Sequence, residues 1–100
     1  MTDYRNKKCI IRTNRAGVFF GTLADYDRTT RTAELYNTRR LWYWDGAASL
    51  SQLAVEGVKK PQGCKFTIVV PQMQVEGVIE IIPCTEAAIK NIEKVAAWKK

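Results

Sequence analysis

The stretch Arg31-Thr32-Ala33-Glu34-Leu35-Tyr36-Asn37, running on into Thr38-Arg39-Arg40-Leu41-Trp42-Tyr43-Trp44, decides how the chain is read. Over Arg31–Asn37 apolar and polar residues alternate. Ala33 and Leu35 fall on one face, and Thr32, Glu34 and Tyr36 on the other, which is the period of a half-buried strand. Thr38–Trp44 reads as a continuation of that strand or as a fourth strand. Alternation then sets Arg40, Trp42 and Trp44 on one side, with Arg39, Leu41 and Tyr43 on the other. Asp45-Gly46 closes the stretch as a turn dipeptide.

Towards the N-terminus, two further strands precede it. Lys8–Thr13 is a short β-branched run, and Asn14-Arg15-Ala16-Gly17 is a turn in which Gly17 is free to take a positive φ. Val18–Tyr26 is a longer, mostly apolar strand, with Gly21 a candidate bend or bulge. Asp27-Arg28-Thr29-Thr30 turns the chain into the alternating stretch, so the first half predicts an antiparallel meander.

Towards the C-terminus the pattern changes. Ser49 with Gln52 three residues on is a capping box, Leu50, Leu53 and Ala54 follow helical spacing, and Gly57 ends the run. Lys59–Gly63 is a loop, Cys64–Val70 a strand, Pro71–Gln74 a connection and Val75–Ile82 another strand. Thr85 then caps a helix expected to run to about Trp98, with Ile89, Ile92 and Ala96 as its apolar stripe. The fold class is α+β: one domain over residues 1–100, with a small, strongly bent antiparallel sheet or barrel of about five or six strands. A short internal helix and a C-terminal helix complete it.

The 100-residue chain is 46% apolar, enough for one core, and its apolar runs are far shorter than a membrane span. Met1–Lys8 offers no apolar segment for a signal peptide, so the expected place is the cytoplasm, with no membrane partner. Cys9, Cys64 and Cys84 are three widely spaced thiols, which argues against a disulfide framework and for buried structural cysteines. With no histidine and no phosphate-cradling glycine loop, the usual nucleophile–base pairs are missing, and the chain reads as a binding protein rather than an enzyme. No cofactor is implied.

The net charge is +6, and it is unevenly placed: residues 1–40 carry nine Lys/Arg against four Asp/Glu, and hold all seven arginines. Arginine offers a planar fork of donors suited to phosphate. Trp and Tyr offer faces on which a base can stack. The candidate ligand-binding residues are therefore Arg12, Arg15, Phe20, Arg39, Arg40, Trp42 and Trp44. Against this stands the alternative that Trp42 and Trp44 are core residues with the arginines reaching past them to water.

Ile11-Arg12-Thr13, Ala16-Gly17-Val18-Phe19, Arg39–Trp44 and Gly46-Ala47-Ala48-Ser49-Leu50 together resemble a family of small proteins encoded mainly by bacteriophages. The likeness extends to Ile79–Ile82 and Thr85-Glu86. It departs at Val95–Lys100 and in the basic Asp27–Arg31 turn. It implies a phage origin and a host bacterial cytoplasm. Small phage proteins of this kind act by binding a host component, and one class sequesters cyclic-nucleotide or ADP-ribose-derived immune signals. The expected ligand is thus a nucleotide or cyclic oligonucleotide, held by a homo-oligomer. The alternatives are an inhibitor of a host defence protein and a small-barrel RNA- or ssDNA-binding protein.

Overall fold

The computed structural model describes residues 3–100; Met1 and Thr2, at the start of the polar N-terminus, lie outside them. The described residues form β1 (Lys8–Thr13), β2 (Val18–Asp27), β3 (Thr32–Tyr43), α1 (Leu50–Glu56), β4 (Lys65–Phe66), β5 (Val70–Val75), β6 (Val78–Pro83) and α2 (Glu86–Glu93). All strand pairings in the sheet are antiparallel, and β1 and β2 pair through the Asn14–Gly17 turn with Gly17 at φ 109°. β3 is one strand of twelve residues: one edge pairs with β2, and the other with β5 and then β4. β6 returns to the far side of β1.

The order β5-β3-β2-β1-β6 puts β5 and β6 on opposite edges, yet only Glu76 and Gly77 link them in the chain. A link that short forces the sheet to roll until its edges approach. The seam is fastened where the Val78 amide donates to the Arg31 carbonyl at 3.0 Å, at the start of β3. The result is a bent, barrel-like sheet with a core on each side. The inner core holds Cys9, Ile11, Phe19, Leu23, Ala33, Leu35, Val75 and Val78. The outer core holds Ile10, Phe20, Leu41 and Phe66 beneath Leu53, Ala88 and Ile92 of the two helices.

One extra residue in β3 sets which way the decisive strand faces. Thr22 lies opposite Tyr36, but Phe20 lies opposite Arg39, so the single residue Gly21 opposes the pair Asn37-Thr38. Asn37 takes φ 50°, which a side-chain amide tolerates better than most. Before this bulge the odd residues Ala33 and Leu35 face the inner core; after it Arg39 and Leu41 face the helices. Thr38 fills the place that a Cβ on Gly21 would need.

Three boundaries differ from the sequence reading. The expected Cys64–Val70 strand pairs only at Lys65–Phe66, and the expected Pro71–Gln74 connection is the middle of β5. Pro71 is tolerated because β5 is an edge strand, where a missing N–H costs little. The turn falls instead at Glu76-Gly77, with Gly77 at φ 73°. The C-terminal helix stops at Glu93 rather than near Trp98, because the following residues are drawn onto β4: Ala97 bridges Phe66, and the Trp98 amide donates to the Phe66 carbonyl at 2.8 Å.

The helices are joined end to end. Thr85 caps α2 by accepting from the Ala88 amide, and its hydroxyl donates to the Val55 carbonyl at the end of α1. Ser49 caps α1 through the Gln52 amide, while the Gln52 side chain returns to the Ala48 amide, one residue before the cap.

In Gly21→Ala the new methyl would lie 2.2 Å from Thr38 Oγ1, and that atom belongs to a fully buried side chain. We expect a loss of about 1–3 kcal/mol in urea denaturation, the usual cost of overpacking. The double variant Gly21→Ala/Thr38→Ala, which removes that oxygen, should recover part of it.

Candidate functional site

The bulge in β3 divides the Arg39–Trp44 segment. Arg39 is only 4% exposed and its guanidinium is shared among four carbonyls: Nε donates to Thr67 at 2.9 Å, Nη2 to Phe66 at 3.1 Å, and Nη1 to Ile92 at 3.2 Å and Val95 at 2.9 Å. Burial lowers its pKa, but an arginine does not lose its proton in a protein, so a full positive charge stays inside. Carbonyl dipoles at the C-terminal end of α2 are well placed to hold it.

Arg39 is therefore a structural residue and is not available to a ligand. Phe20 is likewise removed from the expected site: it is 3% exposed and packs under the helices. Trp44 turns away from Arg40 and Trp42, because the pairing of β3 with β4 shifts register between Leu41 and Tyr43. It ends half-buried against the outer core, while Tyr43, expected on the opposite side, is exposed. Arg12 is exposed but engaged, with Nε donating to Glu80 Oε1 at 3.0 Å.

Arg15, Arg40 and Trp42 remain. Arg40 lies opposite Phe19 on the inner side of the sheet, with its guanidinium carbon 4.8 Å from the centre of the Phe19 ring. There it covers the open end of the barrel. Both of its main-chain polar groups are held by Thr67, since the Arg40 amide donates to Thr67 Oγ1 and the Thr67 amide donates to the Arg40 carbonyl. Arg15 comes to the same end from the β1–β2 turn. The two arginines line one groove of about 760 Å³ with Asn14, Phe19, Gln74 and Glu76, a size within the range of small-molecule sites.

Neither guanidinium has a carboxylate within ion-pair distance or a hydrogen-bond acceptor among the described residues. Trp42 follows Arg40 by two residues and is 64% exposed; it stands outside the lining of the groove itself. The arrangement offers two forked donors for an anion, an aromatic plane beyond them, and the Asn14 and Gln74 amides for polar groups between. Sequence reasoning named the Asn14–Gly17 turn and the Arg40–Trp42 strand separately. It missed the third wall, Met73–Gly77, although Glu76-Gly77 between two valines was a turn signal.

A family comparison completes the description. The chain belongs to the family described as Domain of unknown function (DUF6948), whose model matches residues 6–92. The match takes in every wall of the groove, from Asn14 to Gly77, and the Arg39 clasp as far as Ile92. Neither curated proteins nor solved structures give a match to this chain. Among the described residues no group of three His, Cys, Asp or Glu is placed to hold a metal ion, and no helix is long and apolar enough to cross a membrane.

The cysteines lie away from the groove. Cys9 and Cys64 are buried and Cys84 is half-buried, all as free thiols. Burial pushes the Cys9 thiol up to about 11 and the Cys84 thiol up to about 12, so both stay protonated well above the range of a free cysteine.

Two expectations follow from this geometry. Arg39→Met should cost at least about 3 kcal/mol in chemical denaturation, since several buried acceptors lose their donors, and Arg39→Lys should recover only part of it. Arg40→Met should stay within about 1 kcal/mol of the parent. For the thiols, the unfolded state releases protons first, so their contribution to stability is complete below about pH 8.5 and falls as pH rises towards 11. Denaturation midpoints of the parent and of a Cys9→Ala/Cys84→Ala variant, taken between pH 8 and 10.5, should show the flatter pH dependence in the variant.

Proposed function

We propose that this chain is a non-catalytic binding protein that sequesters an anionic, base-containing ligand, a nucleotide or cyclic oligonucleotide, at the open end of its barrel. The observation that carries the reading is the pairing of two uncompensated arginines, Arg15 and Arg40, in one groove, with the exposed Trp42 two residues beyond Arg40 on the same strand. Each guanidinium presents a fork matched to phosphate oxygens, and a stacked base contributes on the order of 1–3 kcal/mol. Phe19 fixes the Arg40 guanidinium in place, so less side-chain freedom is lost on binding. Glu76 on the rim is an acceptor for a ribose hydroxyl or an exocyclic amine and disfavours a bare polyphosphate.

The likeness to small phage proteins gives this chemistry a setting, the capture of a nucleotide signal used by a bacterial anti-phage defence system in the host cytoplasm. A second reading draws on the openness of the same surface. Tyr43, Ile68 and Val69 are exposed around the end of β3, and a groove without a lid also suits a single-stranded RNA or DNA.

Titration of the protein with cyclic di- and trinucleotides, ADP-ribose and its cyclic isomers should quench Trp42 fluorescence and raise the melting temperature for one of them. Arg40→Ala and Trp42→Ala should each weaken that binding at least tenfold without lowering the melting temperature of the free protein. The ligand should be recovered chemically intact after heating. No stabilisation by any member of the panel would overturn the proposal. Affinity that rises with oligonucleotide length and falls steeply with salt would favour the polynucleotide reading instead.

A further inference from the structure

One sheet edge, that of β6, pairs with no second strand among the described residues, and its Pro83 blunts only its last position. β6 pairs with β1 alone, and on its other side the only main-chain bond among the described residues is from Val78 to Arg31. The outer edge from Ile79 to Ile82 therefore presents unpaired amides and carbonyls. Strand edges are ordinarily protected by proline, lysine, a covering loop or an uncompensated charge. β5, the opposite edge, carries Pro71. β6 has no such device within Ile79–Ile82: its one charge, Glu80, is neutralised by Arg12 of the same chain.

Beside this edge lies a second groove, of about 680 Å³, at the seam of the barrel. Leu23, Val78 and Ile81 floor it, Tyr4 and Tyr26 flank it, and Ile79 of the free edge stands on its lip. Ile79 is 44% exposed, a β-branched apolar side chain on the free edge. An unpaired edge, a groove whose apolar floor is rimmed by the charged side chains of Asp3, Arg5, Asp25 and Arg28, and an exposed apolar plug thus occupy a single patch.

We infer that β6 is the contact between two copies of this chain, paired antiparallel about a twofold axis, with Ile79 of each copy set against the seam groove of the other. A second copy fits better than a foreign strand because plug and groove belong to the same patch, the condition for a self-complementary twofold contact. The Arg12–Glu80 pair leaves the edge locally neutral in a chain of net charge +6, so two copies meet there without the repulsion that the basic end of the barrel would impose. The contact leaves both Arg15–Arg40 grooves open, and it stands independently of what they bind.

Sedimentation velocity across micromolar to submillimolar concentrations should show the parent at twice the chain mass. Ile79→Lys, and the milder Ile79→Thr that keeps a β-branched residue, should shift it to the chain mass by at least tenfold weaker association while the circular dichroism spectrum is unchanged. Hydrogen exchange should show slow amides within Ile79–Ile82 in the parent and fast ones in both variants. A parent that sediments at the chain mass throughout, or variants that associate as tightly as the parent, would overturn the inference. So would fast exchange of the β6 edge in the associated protein, or slow exchange of that edge in a monomer, the mark of a foreign strand.

Discussion

A single buried guanidinium holds the two halves of this molecule together. Arg39 leaves β3, crosses the outer core and ends among carbonyls from two segments far away in the chain: Phe66 and Thr67 at the end of β4, and Ile92 and Val95 at the end of α2. The charge has no carboxylate partner, so its burial is tolerable only because four acceptors surround it. Two of those acceptors lie where α2 ends and two where β4 ends, so the clasp joins the ends of both elements to β3. Lysine, with one nitrogen at the end of a flexible stem, cannot span such separated acceptors.

The same strand carries two arginines in sequence with opposite fates. Arg39 is committed to the interior and Arg40 to the open end of the barrel, and the inversion follows from the one-residue bulge opposite Gly21. Without it, strict alternation from Leu35 would put Arg39 in the inner core and Arg40 under the helices. The bulge thus converts a strand that builds the barrel into a strand that serves the helices on one face and the groove on the other. Thr67, bonded through both its amide and its hydroxyl to the Arg40 main chain, ties the strand down where Arg40 reaches the groove.

Much of this was legible in the sequence where local rules and tertiary demands agree. The first two strands, the Gly17 turn and the capped helix from Ser49 to Gly57 are marked by residues whose physics is local; Gly21 marked the level of the irregularity, but the extra residue lies across from it in β3, at Asn37-Thr38. The division of Arg40 and Trp42 from Arg39 and Leu41 followed from period alone. What was not legible depended on partners remote in sequence. Pro71 looked like a break because nothing nearby said that its strand lies at an edge. α2 looked longer because the competitor for its last carbonyls, Arg39, lies more than fifty residues earlier. Phe20 looked available because its cover is supplied by helices at the other end of the chain. Arginine's chemistry suits a phosphate and a carbonyl cage equally, so residue type could not separate Arg39 from Arg40; burial does.

Phe19 and Phe20 are neighbours in the chain but belong to different cores, the first beneath Arg40 and the second beneath the helices. The sheet between them is a shared wall rather than a boundary, and β1 repeats the arrangement with Ile10 and Ile11. Each core can be repacked only by side chains whose backbone the other core also positions. A lineage that reshapes the groove is therefore not free to do so from its floor. Variation is steered to the rim, at Asn14, Arg15, Gln74 and Glu76, where side chains answer to solvent instead of to two interiors at once.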